Sequence, residues 1–265
     1  VVSDPKAVGW FVSELVRALG KGRVQRLSMI INVPFATSPL ERRVVREAGR
    51  DAGAGTVRLL EQSIAAALGG DLRMHEPAGT VVVDAGAGVV EAALISLGSV
   101  VARSSARVGS ADIDRSIQTL LRRDYGIDVS DSTAEQIKIA VGAAKVDVPM
   151  VEATGMSLVD QTSVTAILDG SDVQSEFDRY LNGVNNCVRE CLVHAGPDLA
   201  QDVIEAGIHL AGGAAQWPGL ALGISKEFDI PVHVLGEPKF AGIRGAAKCS
   251  ESPESLEELF LSERS

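Results

Sequence analysis

At 265 residues, with 46% apolar and 23% charged side chains, the chain has the composition of a soluble globular protein and material for one large core or two modest ones. Its net charge of −10 excludes the basic face that nucleic-acid binding requires and disfavours simple electrostatic docking on anionic lipid. Three cysteines cannot all pair and are too few for a disulfide scaffold, which fits a reducing cytosol.

Asp4-Pro5 reads as a helix cap with proline at the first helical position, followed by helix-spaced Val8, Phe11, Val12, Leu15 and Leu19 up to Gly20 and Gly22. "RLSMIINVP" is a buried strand stopped by Pro34. Ser38-Pro39-Leu40-Glu41 is a capping box that launches a helix through Arg50. "GTVRLLE" is a second strand, and "QSIAAALGG" a short helix closed by glycines. Val81–Val83, Val89–Ser96 and Ser99–Arg107 read as a three-stranded meander. Ser110 is placed as the cap of a helix with Ile113, Ile117, Leu120 and Leu121 on one face. Ser132-Thr133-Ala134-Glu135 is read as a second capping box, opening a helix through Gly142. A polar, β-rich stretch at 145–171 reads as a small inserted subdomain. A long helix over about 172–195 is broken by Gly196-Pro197. The strand "GIHLAGG", helices at "WPGLALGISKEF" and "KFAGIRGAAK", and the strand "PVHVL" complete the pattern. The acidic tail from Ser250 is expected to be mobile, with Leu256, Leu259 and Phe260 at helical spacing.

This alternation of strands and helices indicates an α/β architecture with helices covering the sheets. "VVVDAGAGVVEAALISLGS" (81–99) is long enough for a bilayer span. Asp84 and Glu91 would each cost about 2.5–3.5 kcal/mol near a membrane centre, and the glycines weaken any helix there, so two strands joined by a tight turn is the better reading.

Two glycine bends carry chemistry. In Asp84-Ala85-Gly86-Ala87-Gly88, a turn without bulky β-carbons lets backbone amides approach a polyphosphate, and an aspartate at the strand end can hold magnesium, usually through water. The ordinary alternative is a glycine hairpin with a capping aspartate. Gly207-Ile208-His209-Leu210-Ala211-Gly212-Gly213 runs a strand into paired glycines and a helix, which can lie against an adenosine and present amides to its phosphates. Its ordinary alternative is a tight strand-to-helix connection. About 125 residues apart in an α/β chain, the two together point to a nucleotide cleft.

In this pairing the sequence resembles the actin-like ATPases, most closely the bacterial MreB/Mbl branch. The resemblance runs in family order through "VPFATSPLERRVVREAG", "LLEQSIAAALGG", "VVVDAGAGVVEAALISLGSVV", "RVGSADIDRSI", "STAEQIKIAVGAA" and "GIHLAGGAAQWPGL", over nearly residues 4–249. It implies an α/β, actin-like (ribonuclease-H-like) two-domain ATPase fold with an incomplete first domain. On that basis residues 1–76 are the remainder of the first domain, 77–250 the second, with a subdomain inserted at about 127–171, and 251–265 an acidic tail. The resemblance makes Asp84, Gly86, Ala87 and Gly88 the second phosphate loop, with Asp84 near magnesium, and assigns Gly212, Gly213 and Ala214 to the adenosine loop. Glu135 and Lys138, one turn apart, match the pair touching ribose and base. The competing readings are a capping-box glutamate and a solvated lysine. Gln62 falls where the family orients the attacking water; a glutamine positions water but is a poor base.

Three departures stand out. The chain starts after the family's opening meander, which carries the first phosphate loop. Val89 and Val90 stand where two threonines are usual, and losing one positioned donor at such a site costs roughly 2.7–4 kcal/mol of barrier. Ala214 replaces the adenosine loop's third glycine. Weak ATP binding and little or no hydrolysis are therefore expected. The first sheet's remaining strands are expected to show open edges. The family reading implies a cytoplasmic, ATP- and magnesium-binding filament protein that guides cell shape and wall synthesis, self-associating, with wall-synthesis and membrane-associated partners open. The alternatives are a degenerate, non-hydrolysing interaction module and, less favoured, a DnaK-like nucleotide domain. Cys187 and Cys191 lie one turn apart, but histidines at 75, 194, 209 and 233 are scattered, so core packing outweighs a zinc site.

Overall fold

The computed structural model describes residues 5–18, 27–143, 150–251 and 257–261. In chain order the elements are α1 (Pro5–Ala18), β1 (Leu27–Val33), α2 (Pro39–Asp51), β2 (Ala54–Glu61), α3 (Gln62–Gly69), β3 (Thr80–Ala85), β4 (Val90–Ser96), β5 (Ser99–Ala106), α4 (Ser110–Asp124) and β6 (Ile127–Asp128). There follow α5 (Asp131–Gly142), β7 (Met150–Ser157), β8 (Ser163–Asp169), α6 (Gln174–Val193), α7 (Pro197–Ala206), β9 (Ile208–Ala211), α8 (Pro218–Phe228), β10 (Val232–Val234) and α9 (Ala241–Glu251). The proposed cap Asp4, the ends Gly20 and Gly22 of the first helix, and Leu256 lie outside the described residues. The chain forms two compact units, one built from residues up to Leu72 together with those from Phe240 onward, the other from Arg73–Lys239.

In the first unit β1 and β2 pair in parallel, with Met29 opposite Val57 and Ile31 opposite Leu59. Between them α2 starts as its sequence dictates. Ser38 Oγ accepts from the Glu41 amide at 3.3 Å, and the Glu41 carboxylate accepts from the Ser38 amide at 2.9 Å. Val33, Val45, Ala54, Val57 and Leu59 form the core. The α3 helix is buried along Ala65–Ala67, and α9 crosses it closely enough that Gly69 faces the Ala241 carbonyl and Gly245 faces that of Ala65. Lys248 donates to the Leu68 carbonyl at 2.8 Å, meeting one of the open acceptors at the end of α3. Residues from Phe240 onward thus belong with the N-terminal unit, where the sequence reading carried the second domain on to residue 250. A small-residue face on α9 (Ala241, Gly245, Ala246) decides this, and chain order gives no hint of which partner that face meets.

The second unit holds a five-stranded sheet ordered β10-β9-β3-β4-β5, in which β3, β4 and β5 form the expected antiparallel meander and β3, β9 and β10 run parallel. Every residue of β3 and β4 is buried. That explains why their apolar residues run consecutively (Val81–Val83, Ala92–Ile95): a strand covered on both faces has no reason to alternate. Among the described residues, no helix is long and apolar enough to cross a membrane. Val81, Val83, Ala85, Val90, Ala92 and Leu94 join the core formed with α4, α5, α6 and α8. A second, three-stranded sheet, β6-β7-β8, lies within the stretch read as an inserted subdomain, which also contains α5. Gly196-Pro197 is more than a break. Gly196 is the cap and Pro197 the first residue of α7, a helix the sequence reading missed although proline at that position is its ordinary signal.

Candidate functional site

The meander's first turn sits at the C-terminal end of β3. Gly86–Val89 link Ala85 to Val90, closed by a Gly86 amide to Val89 carbonyl bond of 3.0 Å. The start of α4 is docked beneath it: the Ser110 amide donates to the Gly86 carbonyl at 3.2 Å and the Ala111 amide to the Ala87 carbonyl at 3.0 Å. Two orphan donors of the helix are thereby satisfied, and the loop's carbonyls are directed towards α4. Ala87 and Gly88 are exposed. Ser110 is not the cap it was expected to be. The cap is Gly109, whose amide donates to the Asp112 carboxylate at 2.8 Å. A carboxylate three residues into the helix thus reaches back to the amide of the cap residue itself.

The second bend arrives at the same place. Asp84 of β3 lies beside Ala211 of β9, so both parallel strands end together. Gly212 has φ +89°, and a β-carbon built on it would lie 2.3 Å from the Ala85 carbonyl oxygen and 2.4 Å from Asp84 Oδ1. Only glycine combines that backbone with that proximity. Gly213–Gln216 then form a helical turn whose first amides have no partner within the turn, next to the buried Asp84 carboxylate. The C-terminal ends of parallel strands, where glycine turns lead into helices, are where open α/β sheets hold ligands. Ala214 is buried, so its methyl group is part of the wall beneath this turn.

The third element is α5. Its cap is Ser130, whose hydroxyl accepts from the Thr133 amide at 3.1 Å. The helix therefore begins two residues earlier than the Ser132 box placed it, and Glu135 is not a capping residue but an exposed carboxylate on the second turn. Lys138 is no solvated face residue either. Its ammonium pairs with Asp114 at 2.8 Å, the two side chains being 15% and 18% exposed, and reaches the Ser110 carbonyl at 3.5 Å. The pair ties α5 to α4 just below the loop. Lys138→Met is expected to destabilise the second unit by about 1–2 kcal/mol, because it strands a half-buried carboxylate. Adding Asp114→Asn should recover a measurable part of that loss. A urea-denaturation double-mutant cycle with additive effects would show the pair to be inert.

Gln62 is the first residue of α3, half-buried, in the first unit. Val90 is fully buried in the core beside Ala85 and Val83, and Val89 is half-buried in the turn. A carboxylate that the search for site residues passed over is Glu91. It stands directly across the ladder from Asp84 and is fully buried. Its signal was present: a lone acid inside the otherwise apolar strand "VEAALIS". Burial pushes the Tyr180 hydroxyl well above its ordinary range, with the charges of Asp84 and Asp112 adding to it, so it remains protonated. Cys187 and Cys191 are packed in the core, their thiols 3.7 Å from the Val90 and Ala102 carbonyls and raised by burial. His209 lies against His233 and is lowered by burial and then by that neighbour. A groove of about 650 Å³ opens elsewhere, between α4 and α6, and includes none of the predicted site residues.

The model of the MreB/Mbl protein family matches residues 1–258. The cell shape-determining protein MreB of Escherichia coli K12 is 35% identical over 225 residues, covering 84% of this chain and 65% of that protein. The MreB of Haemophilus influenzae is 31% identical, covering 94% and 74%, and the cell shape-determining protein Mbl of Bacillus subtilis is 27% identical, covering 90% and 72%. This chain thus spans just under two thirds of the Escherichia coli relative's length. Among solved structures, MreB5 of Spiroplasma citri bound to ADP superposes with a TM-score of 0.86 at 22% identity, covering 97% of this chain and 78% of that one. The MamK double helical filament gives 0.78 at 18% identity, covering 94% and 76%. At these identities the likeness establishes the fold.

Proposed function

The chain belongs to the MreB/Mbl family, and on that premise we propose that it is an actin-like protein that binds ATP with magnesium and self-associates into cytoplasmic filaments that guide cell shape and wall growth. The observation that carries the nucleotide reading is the meeting of two glycine bends at the ends of β3 and β9, around the buried Asp84 carboxylate. The residues fit the group. The turn at Gly86, Ala87 and Gly88 offers exposed backbone to a phosphate chain, and the first amides of the Gly213–Gln216 turn are unused within that turn. Gly212, having no side chain, lets β9 end against the Ala85 carbonyl and the Asp84 carboxylate, which holds the two bends together. Asp84 would hold magnesium, directly or through water, and the ion would neutralise phosphate charge. Glu135 and Lys138 would meet the ribose and base, Lys138 by exchanging its bond to Asp114.

A second reading, a nucleotide-binding module that does not hydrolyse, is favoured by Val89, half-buried in the turn, which brings methyl groups where a hydroxyl could position water. One titration separates the cases. With magnesium and ATP at about 100 times the dissociation constant, the chain should gain about 2.7 kcal/mol, read as a rise in thermal midpoint. Asp84→Asn should lose the magnesium-dependent part of that rise. Phosphate release above background supports the first reading, and a shift without release supports the second. No shift at millimolar ATP defeats both. Light scattering with and without ATP tests assembly independently.

A further inference from the structure

The tail was expected to be mobile, yet residues 257–261 are docked on the first unit. Phe260 bridges Leu60 in antiparallel fashion, and the Leu261 amide donates to the Leu59 carbonyl at 2.9 Å. The Arg46 guanidinium, only 8% exposed, donates to the Leu261 carbonyl at 3.2 Å. The Arg58 guanidinium lies 5.1 Å from the centre of the Phe260 ring, and Leu261 packs on the core of Val33, Val45, Val57 and Leu59. Since β1 pairs with β2 on one side, the tail joins at the strand's other edge.

An edge that takes a backbone bond, an aromatic ring and an aliphatic anchor from a three-residue segment has the elements of strand addition. Its chemistry is selective. Arg46 and Arg58 frame it, and Glu254, Glu257 and Glu258 precede Phe260 in the sequence. We propose that the outer edge of β2 is a docking site for an acidic Leu-Phe-Leu segment, held in cis by Leu259–Leu261 and open in trans to the same segment of a second copy of this chain. The second copy is the fitting occupant because every copy carries a segment already complementary to the edge. Cis docking wins in a dilute monomer, where tethering gives a high effective concentration, and trans docking gains ground when copies are held side by side. The tail is then both a guard against indiscriminate edge pairing and a connector between copies.

The test uses the full chain and does not involve nucleotide. A labelled peptide of residues 255–265 should bind the Phe260→Ala/Leu261→Ala chain saturably and at least tenfold more tightly than the unaltered chain, whose edge is filled. Adding Arg58→Ala should weaken it about two- to fivefold, and the peptide carrying the Phe-to-Ala change should not bind. To test the second copy, the Phe260→Ala/Leu261→Ala chain (intact edge, disabled tail) is mixed with the Arg46→Ala/Arg58→Ala chain (intact tail, weakened edge). Sedimentation velocity should detect a mixed dimer that neither forms alone and that excess peptide dissolves. Equal peptide binding by both chains, or binding by neither while both melt cooperatively, overturns the docking site. Peptide binding without a mixed dimer overturns the second copy as its occupant.

Discussion

Gly212→Ala is expected to destabilise the second unit by about 3 kcal/mol, adding a positive-φ penalty to overpacking, and to abolish ATP-linked stabilisation. The reasons are both local. The backbone at φ +89° disfavours any side chain, and the new methyl carbon would stand 2.3 Å from the Ala85 carbonyl oxygen and 2.4 Å from Asp84 Oδ1. Neither neighbour yields readily: one is backbone of a fully buried strand, the other a buried carboxylate held between β9 and β4. The loss should appear as a fall of roughly 6–12 °C in the thermal midpoint. Gly213→Ala is the matched control. One residue along, its β-carbon meets nothing within 4 Å, so its stability should change little. If both variants melt together, β3 and β9 do not end side by side as described, and the nucleotide reading loses its foundation.

The second large effect is expected in the first unit. Gly245→Val should cost about 3 kcal/mol or more, because even the β-carbon would lie 1.9 Å from the Ala65 carbonyl oxygen and 2.9 Å from the Ala65 Cα. The contact is with α3 backbone, so no rotamer relieves it and the two helices must separate. The crossing is reciprocal: a β-carbon on Gly69 would lie 1.8 Å from the Ala241 carbonyl oxygen. Gly9→Ala in α1 is the control. Nothing lies within 4 Å there, and exchanging glycine for alanine inside a helix should stabilise by about 0.5–1 kcal/mol. Urea denaturation of the two variants should move in opposite directions. A Gly245→Val chain as stable as the parent would mean that α9 does not cross α3 at this point.

Much of the local structure was legible. The Ser38–Glu41 box, the meander over residues 80–106 and the two glycine bends follow from short-range rules, since caps, turns and strands depend on residues a few positions apart. Asp84 stood out as the acid ending a β-branched run that leads into glycines, and it is buried there beside Gly212. The misplacements were also local in kind. The signals at Ser110 and Ser132 were real, but Gly109 and Ser130 are the caps, and spacing alone does not rank neighbouring candidates.

What the sequence by itself determined is most of the elements, their approximate ends, the family, and a set of residues that could carry chemistry. Tertiary structure alone decided that Asp84 and Gly212 touch, that Glu91 stands across from Asp84, that Lys138 is held by Asp114, that α9 belongs with α3, and that Phe260 and Leu261 close an edge of β2. The division has one physical cause. A strand or helix announces itself through the period of its own side chains, whereas strand order, helix crossings and tail docking depend on complementary surfaces between segments up to 215 residues apart, and no pattern within either segment records its partner.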